Sequence, residues 1–151
     1  MVDDLVLGIH VATGVVAWVI GGLALWLSVT GRRPRDGLNA FHWSILAVTL
    51  SASVLVAFNL KQLWWLWLLA ILTYGLALLG HFAPREQSLP WLRLGIHGQG
   101  GACIALLTAT FVVSVGGLVQ VAAWALPSLI GVPLLEAWYR QASAKRWSVA
   151  P

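Results

Sequence analysis

Charge is scarce in this chain. Of its 151 residues only 9% are Asp, Glu, Lys or Arg, against about 25% in an ordinary soluble domain. That shortage excludes a water-solvated surface of normal composition. There is one cysteine, so no intramolecular disulfide can form and the redox compartment leaves no sign in the sequence. Cys103 lies inside an apolar segment, where a thiol behaves as a small hydrophobe. With one Cys and one Met, the thiolate and thioether ligands that copper(I) prefers are missing. No nucleophile triad, carboxylate pair, long linker, low-complexity tract or internal repeat is legible. The run from Arg93 through His97 to Gly101 is rich in glycine, but phosphate-cradling loops follow a buried strand in a βαβ unit, and nothing upstream reads as that strand.

What the chain has is apolar length. Hydrophobic residues make up 60% of it and the mean hydropathy is +0.85, which makes it a membrane protein. A spanning helix needs about 20 mostly apolar residues, and such runs fall at 5–29, 38–58, 62–83, 94–116 and 119–137. The predicted fold is an all-α bundle of five transmembrane helices. Pro127 and Pro133 lie in the fifth, where the missing backbone donors predict a bend or a break, although membrane helices tolerate proline better than soluble ones. Residues 1–140 are expected to form one bundle and 141–151 a basic tail. Short connections, Asn59 to Lys61 and Gly116-Gly117, make sequential helices antiparallel neighbours.

The cations give a direction. Arg32, Arg33 and Arg35, then Arg85 and Arg93, then Arg140, Lys145 and Arg146 fall on one side of the five crossings, and Lys61 alone falls on the other. The positive-inside tendency places the N-terminus outside and the tail inside, as in a bacterial cytoplasmic membrane. The start Met-Val-Asp-Asp has no basic region, so the first helix reads as a retained anchor and not as a cleaved signal. The basic balance is topological, and no nucleic-acid partner is expected. Trp64, Trp65 and Trp67 at the outer end of the third helix, and Trp43, Trp91 and Trp138 at inner ends, match aromatic belts. Trp18 and Trp26 are deeper and are expected to pack.

Four histidines carry the chemistry: His10, His42, His81 and His97, each on a different helix. Imidazoles in membrane segments are rare and mark functional sites by default. With antiparallel helices His42, His81 and His97 all fall near the inner face, within roughly 6 Å of one level at 1.5 Å per residue. His10 stands at the outer end, as a structural residue or a separate site. His42 shares a helix face with Leu46, Thr49 and Ser53, His81 with Ala77 and Tyr74, and His97 with Gly101 and Thr108. Small and weakly polar residues at these offsets predict faces turned into the bundle. Gly98 and Gly101 would clear space beside His97 for an occupant.

Two occupants suit this set. Haem b needs axial imidazoles, apolar walls and cations for its propionates; His42, His81 and His97 offer the first, Gly98 and Gly101 an approach, and Arg93 with Arg32, Arg33 and Arg85 the last. A transition-metal ion such as zinc accepts imidazoles with water or a carboxylate, and Glu136 is the available carboxylate, either as ligand or as general base. Its bland role is an ion pair with Arg140 four residues on. Haem fits this donor set somewhat better.

The stretches Gly8-Ile-His-Val-Ala-Thr-Gly14, Gly31-Arg-Arg-Pro-Arg35 and Asn39-Ala-Phe-His-Trp43 resemble uncharacterised small bacterial polytopic membrane families with one histidine in each of several helices. Their layout, over helices one to four, is also loosely similar to membrane cytochromes b. The resemblance implies a helical bundle with a redox cofactor; the chain lacks two histidines on one helix at stacked-haem spacing, which argues against two haems. Three function classes stay open on the residues: a b-type haem electron-transfer or oxidoreductase subunit, a metal-dependent membrane enzyme, and a non-catalytic scaffold or subunit of a homo-oligomer or larger membrane complex.

Overall fold

The computed structural model of the protein describes residues 2–30, 35–58, 60–83, 88–114 and 119–147. Among these residues there is no strand. Five helices follow one another: α1 (Val2–Val29), α2 (Arg35–Phe58), α3 (Leu60–Phe82), α4 (Leu89–Ser114) and α5 (Val119–Trp147). A helix satisfies its own backbone groups, which hydrocarbon demands of any spanning segment. Four helices are long and apolar enough to cross a membrane, over Leu5–Val29, Asp36–Phe58, Leu63–Phe82 and Leu89–Val113. Their outer faces are apolar: Leu5, Val11, Val15, Val19 and Leu23 of α1 are all exposed. In water such a continuous patch would drive association; against lipid tails it is the ordinary surface.

Helix boundaries follow local chemistry. Ser88 accepts the first intrahelical bond of α4, from Leu92 N at 3.2 Å. Pro90 then falls in the first turn, where a missing N–H breaks no bond. Asp36 lies in the first turn of α2, where a carboxylate meets the positive end of the helix dipole. Pro127 and Pro133 do not break α5, which is one element of 29 residues. At 1.5 Å per residue that is roughly 43 Å, longer than the ~30 Å hydrocarbon core. Residues 141–147, expected as tail, continue this helix. The connections that carry Arg32, Arg33, Arg85, Gly116 and Gly117 lie outside the described residues.

Each helix contacts the next in sequence, and α1 also closes onto α4 and, more lightly, onto α5. Helices α1 to α4 therefore form a four-membered ring, with α5 applied to the outside of α4. The packed stripe of α1 is Ala17, Gly21, Ala24 and Ser28, spaced by three or four residues as one helix face requires. Trp18 and Trp26 lie off that stripe and are 49% and 59% exposed. The expectation that they pack is corrected: the close approach of α1 uses small residues, and the indoles face outward. On α2 the buried positions are Leu38, Phe41, Ile45, Val48, Ser51 and Val56. That stripe is one residue out of step with His42, Leu46, Thr49 and Ser53, which are half-buried at its flank.

The glycine run of α4 is the hub of the bundle. A side chain at Gly98 would strike the α3 backbone, 2.5 Å from Gly80 N and 2.9 Å from Leu76 O. Gln99, almost fully buried, directs its amide toward α1, with Nε2 3.4 Å from Gly21 O. Gly100 lies against Leu135 of α5, and Gly101 against Leu76 of α3. Gly21 in turn is covered by Phe41 and Cys103, so α1, α2 and α4 meet there. Four consecutive residues of α4 thus serve three neighbouring helices. Without a hydrophobic force between helices in lipid, such close approach is what holds them together.

Candidate functional site

The histidines form two separate centres at one end of the bundle and a third contact at the other. At the start of α2 and the end of α3, His42 and His81 stack face to face, with ring centroids 4.7 Å apart and planes inclined by 27°. Aromatic side chains surround them: Tyr74 lies 5.7 Å and Trp43 5.5 Å from the His42 ring, and Phe82 lies 5.0 Å from His81. The Nδ1 atoms of both rings are buried and have no hydrogen-bond partner among the described residues. An unpartnered buried polar atom costs about 1–3 kcal/mol, and two such atoms in one ring pair are the strongest chemical anomaly among the described residues.

The second centre joins α4 to α5. Nδ1 of His97 lies 3.0 Å from Arg93 O, and Nε2 lies 3.4 Å from Oε2 of Glu136. Arg93 Nη2 donates to the same oxygen at 3.4 Å, and Arg140 Nε donates to Oε1 at 3.2 Å. Tyr139 completes the cluster, its ring edge-on to His97 at 6.0 Å and carrying the Arg93 guanidinium at 5.6 Å. The expected pairing of Glu136 with Arg140 is present, and Glu136 is in addition the partner of two more basic side chains, Arg93 and His97.

His10, at the far end, bonds Ser51 of α2: His10 Nδ1 lies 3.0 Å from Ser51 Oγ. The Ser51 hydroxyl hydrogen is directed to Val48 O at 3.0 Å, so Oγ accepts and His10 Nδ1 carries the hydrogen. That contact ties α1 to α2 and accounts for His10 without a ligand.

His42, His81, His97 and Glu136 therefore stand as two pairs. Among the described residues no group of three or more His, Cys, Asp or Glu side chains is placed to hold one metal ion. The physical reason is azimuthal: α2 and α4 stand across the ring from each other and are not sequential neighbours in it, so His42 meets His81 of α3 while His97 meets Glu136 of α5. The space expected beside Gly98 and Gly101 is filled by Gly80 and Leu76 of α3. Of the arginines considered for an anionic group, Arg93 is engaged with Glu136, while Arg32, Arg33 and Arg85 lie outside the described residues. Gln99 and Tyr139 were not singled out from sequence; a lone amide inside a glycine run and a tyrosine one turn from Glu136 were the available signals.

No protein-family model, curated protein or solved structure matches this chain.

Proposed function

We propose that this chain is a bacterial cytoplasmic-membrane protein of five crossings, N-terminus outside and tail inside, whose His42–His81 pair holds a transition-metal centre near the inner face. The one-sided cations support the orientation, and a bend at Pro127 or Pro133 would fit α5 as the fifth crossing. The observation that carries the metal assignment is the pair of buried Nδ1 atoms, without partners among the described residues, in stacked rings. Imidazole nitrogen suits first-row ions such as zinc, copper or iron. A bound ion would supply Lewis-acid or redox chemistry at the inner face. The chain's own contribution is to hold the two imidazoles between α2 and α3 and to wall them with Tyr74, Trp43 and Phe82.

Haem b fits this arrangement less well than a bare ion. Two axial imidazoles of one haem address the iron from opposite faces of the macrocycle, whereas His42 and His81 lie ring against ring at 4.7 Å, with no room for a macrocycle between them. The test is metal analysis and an absorption spectrum on protein purified in lipid nanodiscs. The expected result is one transition-metal ion per chain, lost in both His42→Ala and His81→Ala and retained in His97→Ala and His10→Ala. A Soret band that depends on His42 or His81 would move the assignment to haem. Neither metal nor haem, together with unchanged stability in the double variant, would leave a non-catalytic membrane scaffold.

A further inference from the structure

His97 is oriented by its own helix. A backbone carbonyl only accepts, so the 3.0 Å contact with Arg93 O requires the hydrogen on Nδ1. This fixes the tautomer and leaves Nε2 as the nitrogen that faces a partner. That partner is Glu136 Oε2 at 3.4 Å. With a neutral ring and an ionised carboxylate the contact would set a nitrogen lone pair against an oxygen lone pair. One proton placed between them converts it into a charge-assisted hydrogen bond.

The neighbours decide between a proton and a metal ion. Arg93 and Arg140 already donate to the same carboxylate at 3.4 and 3.2 Å, so a divalent ion would stand beside two fixed guanidinium charges. A proton adds one charge and needs no volume. From α5 the remaining titratable group at the ring is Tyr139, in edge contact with His97. From α3 the histidine at this end is His81, which is stacked on His42. Among the described residues α1 brings no charged side chain to this end. His97 and Glu136 are only part-exposed, at 31% and 29%, enough for exchange with water.

We propose that His97 Nε2 and Glu136 Oε2 form a proton-binding site, holding one exchangeable proton between α4 and α5 on the side assigned to the cytoplasm. Gain of the proton makes His97 doubly protonated and attracts Glu136; its release to water returns the lone-pair repulsion. Because α5 meets the ring chiefly through α4, this site couples protonation to the seating of α5. It is independent of the metal assignment, since neither residue touches the His42–His81 pair.

The experiment is nitrogen NMR of protein with 15N-labelled histidine in lipid nanodiscs, with metal removed by chelation and the His97 signals identified by their loss in His97→Gln. At neutral pH both His97 nitrogens should carry hydrogen in the wild-type protein. In Glu136→Gln, whose amide cannot hold the proton as a carboxylate does, only Nδ1 should remain protonated. A bare Nε2 in the wild-type spectrum overturns the proposal without reference to any variant. Two protonated nitrogens that persist unchanged in Glu136→Gln overturn it as well.

Discussion

Replacing Gly98 by alanine tests whether the α3–α4 crossing is built on glycine contact. The new Cβ would lie 2.5 Å from Gly80 N, 2.9 Å from Leu76 O and 3.0 Å from Gly80 Cα. All three are backbone atoms, so no rotamer change relieves them. Carbon contacts are comfortable at about 3.5–4.0 Å, and the two helices must part by something approaching 1 Å. A gap of about 0.5–1 Å forfeits a quarter to a half of the attraction of each atom pair across it, and overpacking of this type costs about 1–3 kcal/mol. The alanine returns about 1 kcal/mol in helix propensity, leaving a net loss of roughly 0–2 kcal/mol as the difference of those terms, and about 1–3 kcal/mol relative to an alanine that meets nothing. Gly22→Ala is the control, because nothing lies within 4 Å of its Cβ position. Gly101→Ala meets only the Leu76 side chain, at 3.3–3.8 Å, and should be near neutral. Equilibrium unfolding in mixed detergent and lipid micelles measures all three. Equal stability of the Gly98 and Gly22 variants would refute the close-contact account of the hub.

Three further outcomes follow from the same contacts. Gln99→Leu should change stability little, since its one hydrogen bond is long, at 3.4 Å, whereas Gln99→Glu should cost about 2.5–3.5 kcal/mol by placing an ionisable group inside the bundle; the same unfolding assay compares them. His10→Ala and Ser51→Ala should each lose about 1 kcal/mol, and the double variant no more than either, because both remove one hydrogen bond; full additivity would deny the bond. Cysteines placed at the N-terminus and at position 145 should label from opposite sides of the membrane, with buried Cys103 silent; labelling from one side would remove the five-crossing orientation.

The apolar runs were legible because membrane helices declare themselves by length. The span read at 38–58 begins at Arg35 and the one read at 62–83 begins at Leu60, differences of two or three residues. Larger departures have local causes. Helix α4 starts at Leu89 and not at 94 because Ser88 and Pro90 suit a first turn, and α5 runs ten residues past 137 because its polar extension needs no hydrocarbon. The histidine partners were not legible. Helical spacing placed His42, Leu46, Thr49 and Ser53 on one face, but which face turns inward depends on neighbours, and Phe41, Ile45 and Val48 bury the adjacent one. Glu136 and Arg140 are four residues apart and readable as a pair; Arg93 and His97 reach Glu136 across 43 and 39 positions of chain, and no local pattern encodes that.

The placement of the hub on the fourth helix bears on how the chain is made. Membrane helices enter the bilayer before they assemble, and synthesis delivers α1, α2 and α3 while the residues that join them are still unmade. Gly21 waits for Cys103, and Gly80 waits for Gly98. The His42–His81 stack belongs to the α2–α3 hairpin and needs neither of the later helices, whereas the contact of His97 with Glu136 exists only once the last one arrives. The stacked pair is therefore complete on a half-built protein, while the cluster around Glu136 forms only when the chain is finished.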